Sequence, residues 1–309
     1  MRHINSAFRS ASMLTLFETE QYDIICSPMN YIGGKHKLLP QILPLFPTNI
    51  NVFVDLFCGG CNVGINAEAN HVLFNDNLKY LIDFYKLLYA LPKEDVLNHI
   101  RNRISEYDLS LTNNDGYTSL RKHYNEKRNP LDLFVLVAYS FNHQIRFNTA
   151  HEFNNPFGRE RSSYNPRMEN NLIAFINRLQ SRDISFLCNN FDDFDFAKLT
   201  TDDYVYCDPP YLITTGSYND GKRGFTGWNK MHELKLLAIL DELNSRGIRF
   251  SLSNVLRHKG NNNTILSDWI DSNDYYVHHL SKDYSNASYH LKNRSVTETD
   301  EVLITNYVC

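Results

Sequence analysis

The chain has 309 residues, a net charge of −4, 42% hydrophobic residues and 21% charged ones, a balance that suits a soluble globular protein with a full core, as one large domain or a domain with an insertion. Its six cysteines, at 26, 58, 61, 188, 207 and 309, are too few and too scattered for a disulfide framework and favour a reducing, cytoplasmic setting. No apolar run approaches the roughly 18–20 residues of a membrane span, and the acidic total does not advertise a nucleic-acid partner.

Residues 1–26 read as a leader, with two early arginines among scattered apolar residues and no signal-peptide core. "YIGGKHKLL" (31–39) follows, and glycines then lysines ahead of a helix suit contact with an anionic group. The Walker spacing is absent there. "NVFVDLF" (51–57) is β-branched and apolar, hence a buried strand; a turn at Cys58–Gly60 and a short helix-compatible stretch to about Ala69 come next. "HVLFND" (71–76) reads as a second strand and 77–91 as a helix, which together argue for a parallel sheet covered by helices.

The turn itself, "DLFCGGCNVG" (55–64), admits two readings. Cys58 and Cys61 have the spacing of half a zinc site or of a redox pair. Zinc would need a second pair of ligands, and neither another CxxC nor an HxxxH pair offers one. The order strand, Asp55, Gly59-Gly60, strand, Asp76 instead suits a cofactor that carries a nucleoside, with glycine backbone close to the ligand and an acidic group for ribose hydroxyls. The departure from GxGxxG disfavours NAD or FAD, so S-adenosylmethionine is the expected cofactor, and the cysteines become small packing residues.

Residues 92–183 are mostly helical in pattern and read as an inserted lobe. Between Arg121 and Arg167 they hold eight Lys/Arg against four Asp/Glu, in an otherwise acidic chain. Within "AYSFNHQIRFNTAHEFNNPFGRERSSYNP" (138–166), Arg146 stands among Phe141, Asn142 and Gln144, a mixture suited to reading base edges. Arg159, Arg161 and Arg167 suit phosphates, and Phe141 could wedge a stack from which a base is flipped. A solvated surface hairpin is the plainer alternative.

"DYVYCDPPY" (203–211) is a strand stopped by Pro209-Pro210, which puts Asp208 and Tyr211 at a strand's C-terminal edge, where α/β proteins hold ligands. Asp208 and the Pro209 carbonyl could accept hydrogens from an exocyclic amino group while Tyr211 stacks on its ring. Such acceptors would help localise the lone pair of an adenine N6, and positioning would do the rest. A glycine-containing loop (216–227), a helix (230–247), a strand (248–255) and a closing antiparallel strand (300–308) complete the order.

In this order, "YIGGK", "DLFCGGCNVG", "FND", the basic lobe and "CDPPY" resemble the DNA adenine-N6 methyltransferases of the Dam type, the D12 class, over roughly Ser27 to Tyr307. The resemblance implies a Rossmann-like α/β methyltransferase sheet (27–91 and 184–309) with a mainly helical target-recognition lobe inserted at 92–183. It implies that Tyr31, Lys35, Asp55, Phe57, Gly59, Asp76 and Asp208 surround S-adenosylmethionine, with Phe191 near its adenine. It also implies double-stranded DNA as substrate: "FNHQIRFN" and "NNPFGR" look like the segment that reads the target, with Arg146 on a guanine, Phe141 inserting, Pro156 at a base, and Asn142, Gln144 and Arg159 alongside. Catalysis falls to Asp208, Pro209 and Tyr211, with no metal. Gln144 departs from the apolar residue that GATC readers tend to have, and "SNVLRHKGNNNTILSDW" looks more like methylases of restriction systems. The target is therefore GATC or a restriction-system site, with a monomer acting there and a cognate endonuclease as a possible partner. Methylation of RNA adenine or protein glutamine, or an inactive DNA-binding protein, are the alternatives; the interposed lobe speaks against the first two and the intact Asp208 and Tyr211 against the third.

Overall fold

A computed structural model describes residues 24–31, 33–214, 227–281 and 299–309. The leader up to residue 23 and all but the last residue of the loop expected at 216–227 lie outside them. Five strands run parallel: β1 (Val52–Asp55), β2 (His71–Asn75), β3 (Ile184–Leu187), β4 (Tyr204–Cys207) and β5 (Arg249–His258). The short β6 (Asn261–Asn262) pairs with β5, and β7 (Tyr276–Leu280) and β8 (Thr299–Thr305) complete a sheet of order β3-β2-β1-β4-β5-β8-β7. β8 is antiparallel to both its neighbours, as the tail pattern predicts.

The period of two in the strands divides the core between the two faces of this sheet. Phe53, Tyr204, Tyr206 and Leu303 point to one face; Val54, Val205, Cys207, Phe250, Leu252, Val302 and Ile304 point to the other. The first face is covered by the one-turn α1 (Leu39–Ile42) and by α2 (Lys79–Ala90). The second is covered by α7 (Lys230–Ser245) and α8 (Thr264–Asn273).

Between β2 and β3 stand α3 (Lys93–Glu106), α4 (Asn114–Lys127), α5 (Pro130–Tyr139) and α6 (Pro166–Gln180). Asparagine opens most of the later helices. The side chains of Asn113, Asn129, Asn165, Asn229 and Asn263 each accept a backbone N–H of the first turn of α4, α5, α6, α7 and α8, satisfying donors that the helix leaves free. α5 is buried from Leu131 to Tyr139. Its core is continuous with that of the sheet: Phe84 of α2 stacks on Phe134 of α5 at 5.6 Å, and Tyr85 meets Phe175 of α6 at 5.7 Å. Among the described residues no helix is long and apolar enough to cross a membrane.

Two stretches differ from the sequence expectation. Residues 61–69 form turns rather than a helix. Cys61 sits in the left-handed region at φ 58°, and the Asn62 and Asn66 side chains bond the backbone of Ser27 and Ile25, so tertiary bonds override the local helical pattern. Within the mostly helical 92–183, residues 140–157 form a hairpin-like loop, bridged at Ser140–Phe157 and Phe147–Phe153. Phe147 anchors it by stacking on Tyr80 of α2 at 4.3 Å.

Candidate active site

The sheet order reverses at β1, which has β2 on one side and β4 on the other, and a crevice opens at the C-terminal ends of such strands. A cavity of about 430 Å³ lies there. Its walls come from the turn after β1 (Phe57–Gly60), the end of β2 (Asp76, Asn77), the segment after β3 (Asn190–Asp192) and the end of β4 (Asp208–Tyr211). All the residues expected around the cofactor line it: Tyr31, Lys35, Asp55, Phe57, Gly59, Asp76, Phe191 and Asp208. So do Pro209 and Tyr211.

The turn after β1 is held on every side. Gly59 N–H donates to Asp76 Oδ2 at 3.0 Å, while Tyr85 OH donates to the Gly59 carbonyl at 3.1 Å. Gly59 has φ 44°, and a Cβ there would stand 2.7 Å from the Tyr31 ring, so the turn needs glycine on both counts. Asp76 Oδ1 accepts the Leu78 N–H at 2.8 Å, and Asn75 ties the end of β2 to Leu56 and Asn189. Phe57, Phe191 and Trp228 form an aromatic wall, with centroids 5.3–5.8 Å apart.

Asp55 is fully buried. One oxygen accepts the Gly64 N–H at 3.0 Å, and the other has no partner among the described residues. Burial pushes its carboxyl up to about 8. An unpaired acceptor, a glycine cradle and an aromatic wall around one cavity fit a ligand with a cationic amine, a ribose and a purine.

At the end of the neighbouring β4, Lys35 Nζ donates to Asp208 Oδ2 at 2.7 Å and to the Gly33 carbonyl at 3.1 Å. Tyr211 OH donates to Asp208 Oδ1 at 3.0 Å, and Lys35 lies 5.0 Å from the centre of the Tyr211 ring. Lys35, placed by sequence near a cofactor anion, thus meets Asp208, and the Tyr211 hydroxyl turns inward to the same carboxylate. Burial pushes the Asp208 carboxyl up against the pull of Lys35.

Cys58 and Cys61 are buried, and burial pushes both thiols up, away from the thiolate that redox or zinc chemistry requires. Among the described residues no group of three His, Cys, Asp or Glu could hold a metal ion. An aromatic disulfide reagent is expected to modify the exposed Cys188 and Cys309 quickly and the half-buried Cys26 slowly. Cys58, Cys61 and Cys207 are expected to react only on unfolding, and rapid modification of Cys58 or Cys61 in folded protein would restore the redox reading.

None of Phe141, Asn142, Gln144, Arg146, Pro156 and Arg159 lines the cavity. The first five share the hairpin, whose strands are joined by Phe141 N–H to the Pro156 carbonyl (2.8 Å) and Asn154 N–H to the Arg146 carbonyl (3.0 Å). The buried Asn155 amide clamps the carbonyls of Phe141 and Gln144. Phe141, Asn142, Arg146, Pro156 and Arg159 are exposed, Gln144 is half-buried, and Arg161 lies over the Phe141 ring at 5.8 Å. Asn30 joins the hairpin to the cavity rim: its side chain donates to the Asn142 carbonyl at 3.1 Å, next to Tyr31. Sequence reasoning missed Asn30, Asn62, Asn66, Trp228 and Glu301; Asn62 stands within the quoted turn and the others lie outside the motifs, and a carboxylate directly before the apolar run of β8 offered the signal for Glu301.

A parallel sheet with its cavity at the switch point, walled by a glycine turn and an Asp-Pro-Pro-Tyr edge, defines a methyltransferase-type α/β unit. The model of the D12 class N6 adenine-specific DNA methyltransferases matches residues 31–287, and the chain belongs to that family. It is 49% identical over 304 residues to the type II methyltransferase M.FokI of Planomicrobium okeanokoites, covering 98% of this chain and 46% of that protein. It is 52% identical over 289 residues to the modification methylase StsI of Streptococcus sanguinis, covering 94% and 44%. A DNA adenine methylase of Haemophilus influenzae is 30% identical over 206 residues, covering 65% and 67%. The chain thus spans a little under half the length of the first two relatives.

Proposed function

We propose that the chain is the catalytic unit of a site-specific DNA methyltransferase, which moves a methyl group from S-adenosylmethionine to the N6 of an adenine flipped from a short duplex sequence. The observation that carries this reading is Asp208 and Tyr211 at the edge of a nucleoside-sized cavity, on a fold whose family acts on adenine N6. When bound, the cofactor supplies an electrophilic methyl on a sulfonium. The chain's own residues do the rest. Asp55 accepts a cationic amine, Asp76 the ribose hydroxyls, and Phe57, Phe191 and Trp228 flank a purine. Asp208 and the Pro209 carbonyl accept the amino hydrogens of the target base, with Lys35 and Tyr211 holding Asp208 in place. The site-reading role falls to the hairpin: Arg146 on a guanine, Phe141 as wedge, Pro156, Asn142 and Gln144 near bases, and Arg159 on phosphate.

The two relatives near 50% identity have the names of type II or modification methylases, which favours a restriction-system site over GATC and a cognate endonuclease as partner. The unit works in the cytoplasm as a single copy on its site. The test is methyl transfer to unmethylated genomic DNA, followed by modification-sensitive sequencing. N6-methyladenine in one short motif supports the reading, whereas its absence, with cofactor bound, shifts the search to RNA or protein. Arg146→Ala is expected to relax choice at one guanine, costing about 1–3 kcal/mol there. Uniform weakening on all sequences would make Arg146 a phosphate contact instead.

A further inference from the structure

β8 begins with Thr299 and Asp300, which are not buried, and its buried stretch starts at Glu301, directly before an apolar run. Val302, Leu303 and Ile304 are fully buried, and Glu301 is only 4% exposed. A carboxylate in that position is costly where an apolar side chain would pack freely, and such local violations mark functional positions. Glu301 Oε1 stands 3.7 Å from Lys35 Nζ and 3.4 Å from Tyr211 OH. The same two groups lie nearer to Asp208, at 2.7 Å and 3.0 Å. Each oxygen of Asp208 is thus already given a donor before any substrate arrives. An amino group bound at Asp208 competes with both donors, and a buried ammonium cannot be left without a counter-charge.

We propose that Glu301 is a positioning residue, which takes over Lys35 and the Tyr211 hydroxyl as Asp208 turns to the amino group of the base. This rests on the reading of the site as one for an exocyclic amine.

The test compares Glu301→Gln and Glu301→Asp with wild type in the full chain. Glu301→Gln is expected to lower kcat roughly 10- to 100-fold, while KM for DNA, cofactor Kd by calorimetry and Tm stay near wild type. Glu301→Asp should recover part of the rate. Tyr211→Phe should cost less in the Gln background than in wild type, because the acceptor of its hydroxyl has already lost its charge. Unchanged kcat, an additive double-mutant cycle, or a fall in kcat that follows lost Tm and cofactor affinity in both variants overturns the proposal. A wild-type chain that makes no methyladenine sinks the proposed function and this premise with it; an active wild type with an unaffected Gln variant sinks this proposal alone.

Discussion

Asp208→Asn is expected to reduce methyl transfer by about a thousandfold or more, with cofactor and DNA affinity retained. The amide nearly preserves the volume but loses the charge and one acceptor. Lys35, 2.7 Å away and 3% exposed, then loses its nearer counter-ion, and the amino group loses one of its two acceptors. Single-turnover kinetics with separate binding measurements check this, and loss of binding in a folded variant would make Asp208 structural. The pH dependence has a definite sign. Burial raises the Asp208 carboxyl above its ordinary range, and its ionised form is the stronger acceptor for the amine. The wild-type rate should therefore fall with decreasing pH at values above those of an exposed aspartate. The residual rate of the Asn variant should lack that limb.

Gly59→Ala is the second large effect, and it acts on the cofactor. The backbone at φ 44° disfavours any side chain, and the new methyl would meet Tyr31 carbons at 2.7 and 2.8 Å, closer than real contacts allow. Either the ring or the turn must move, and a moved turn breaks the bond from Gly59 N–H to Asp76. Strain of about 1–3 kcal/mol should weaken cofactor binding roughly 10- to 100-fold, read as Kd by calorimetry. An unchanged Kd would show that the turn does not approach the ligand.

Much of this site was legible because its residues sit where local rules are strict. A strand ending in two prolines can only stop, so Asp208 falls at the C-terminal edge of the sheet; a Gly-Gly after a strand falls beside the cavity. The sheet was legible for the same reason, through the β-branched, apolar run of β1 and the Pro-Pro stop after β4. What was not legible is pairing across the chain. Nothing near Lys35 says that its ammonium meets Asp208 rather than a ligand anion. Nothing near Asn30 says that its amide meets Asn142. The segment 61–69 has a helical pattern, yet Asn62 and Asn66 spend their amides on Ser27 and Ile25, and such tertiary competition leaves no local trace.

The unbroken core between the sheet and α3–α6 bears on how such an enzyme could be given a new address. A transplant between relatives cut near 92 and 183 would sever Phe84 from Phe134 and Tyr85 from Phe175, exposing aromatic surface on both pieces. A cut at Ser140 and Phe157 falls at a bridge already present and leaves those helices in place. If the hairpin reads the target as proposed, it is the piece to exchange, with the helices behind it left in place. Such a graft would have to keep Phe147 on Tyr80, the Asn155 clamp and the bonds from Tyr117 and Asn125 of α4 to Asn155 and Phe153.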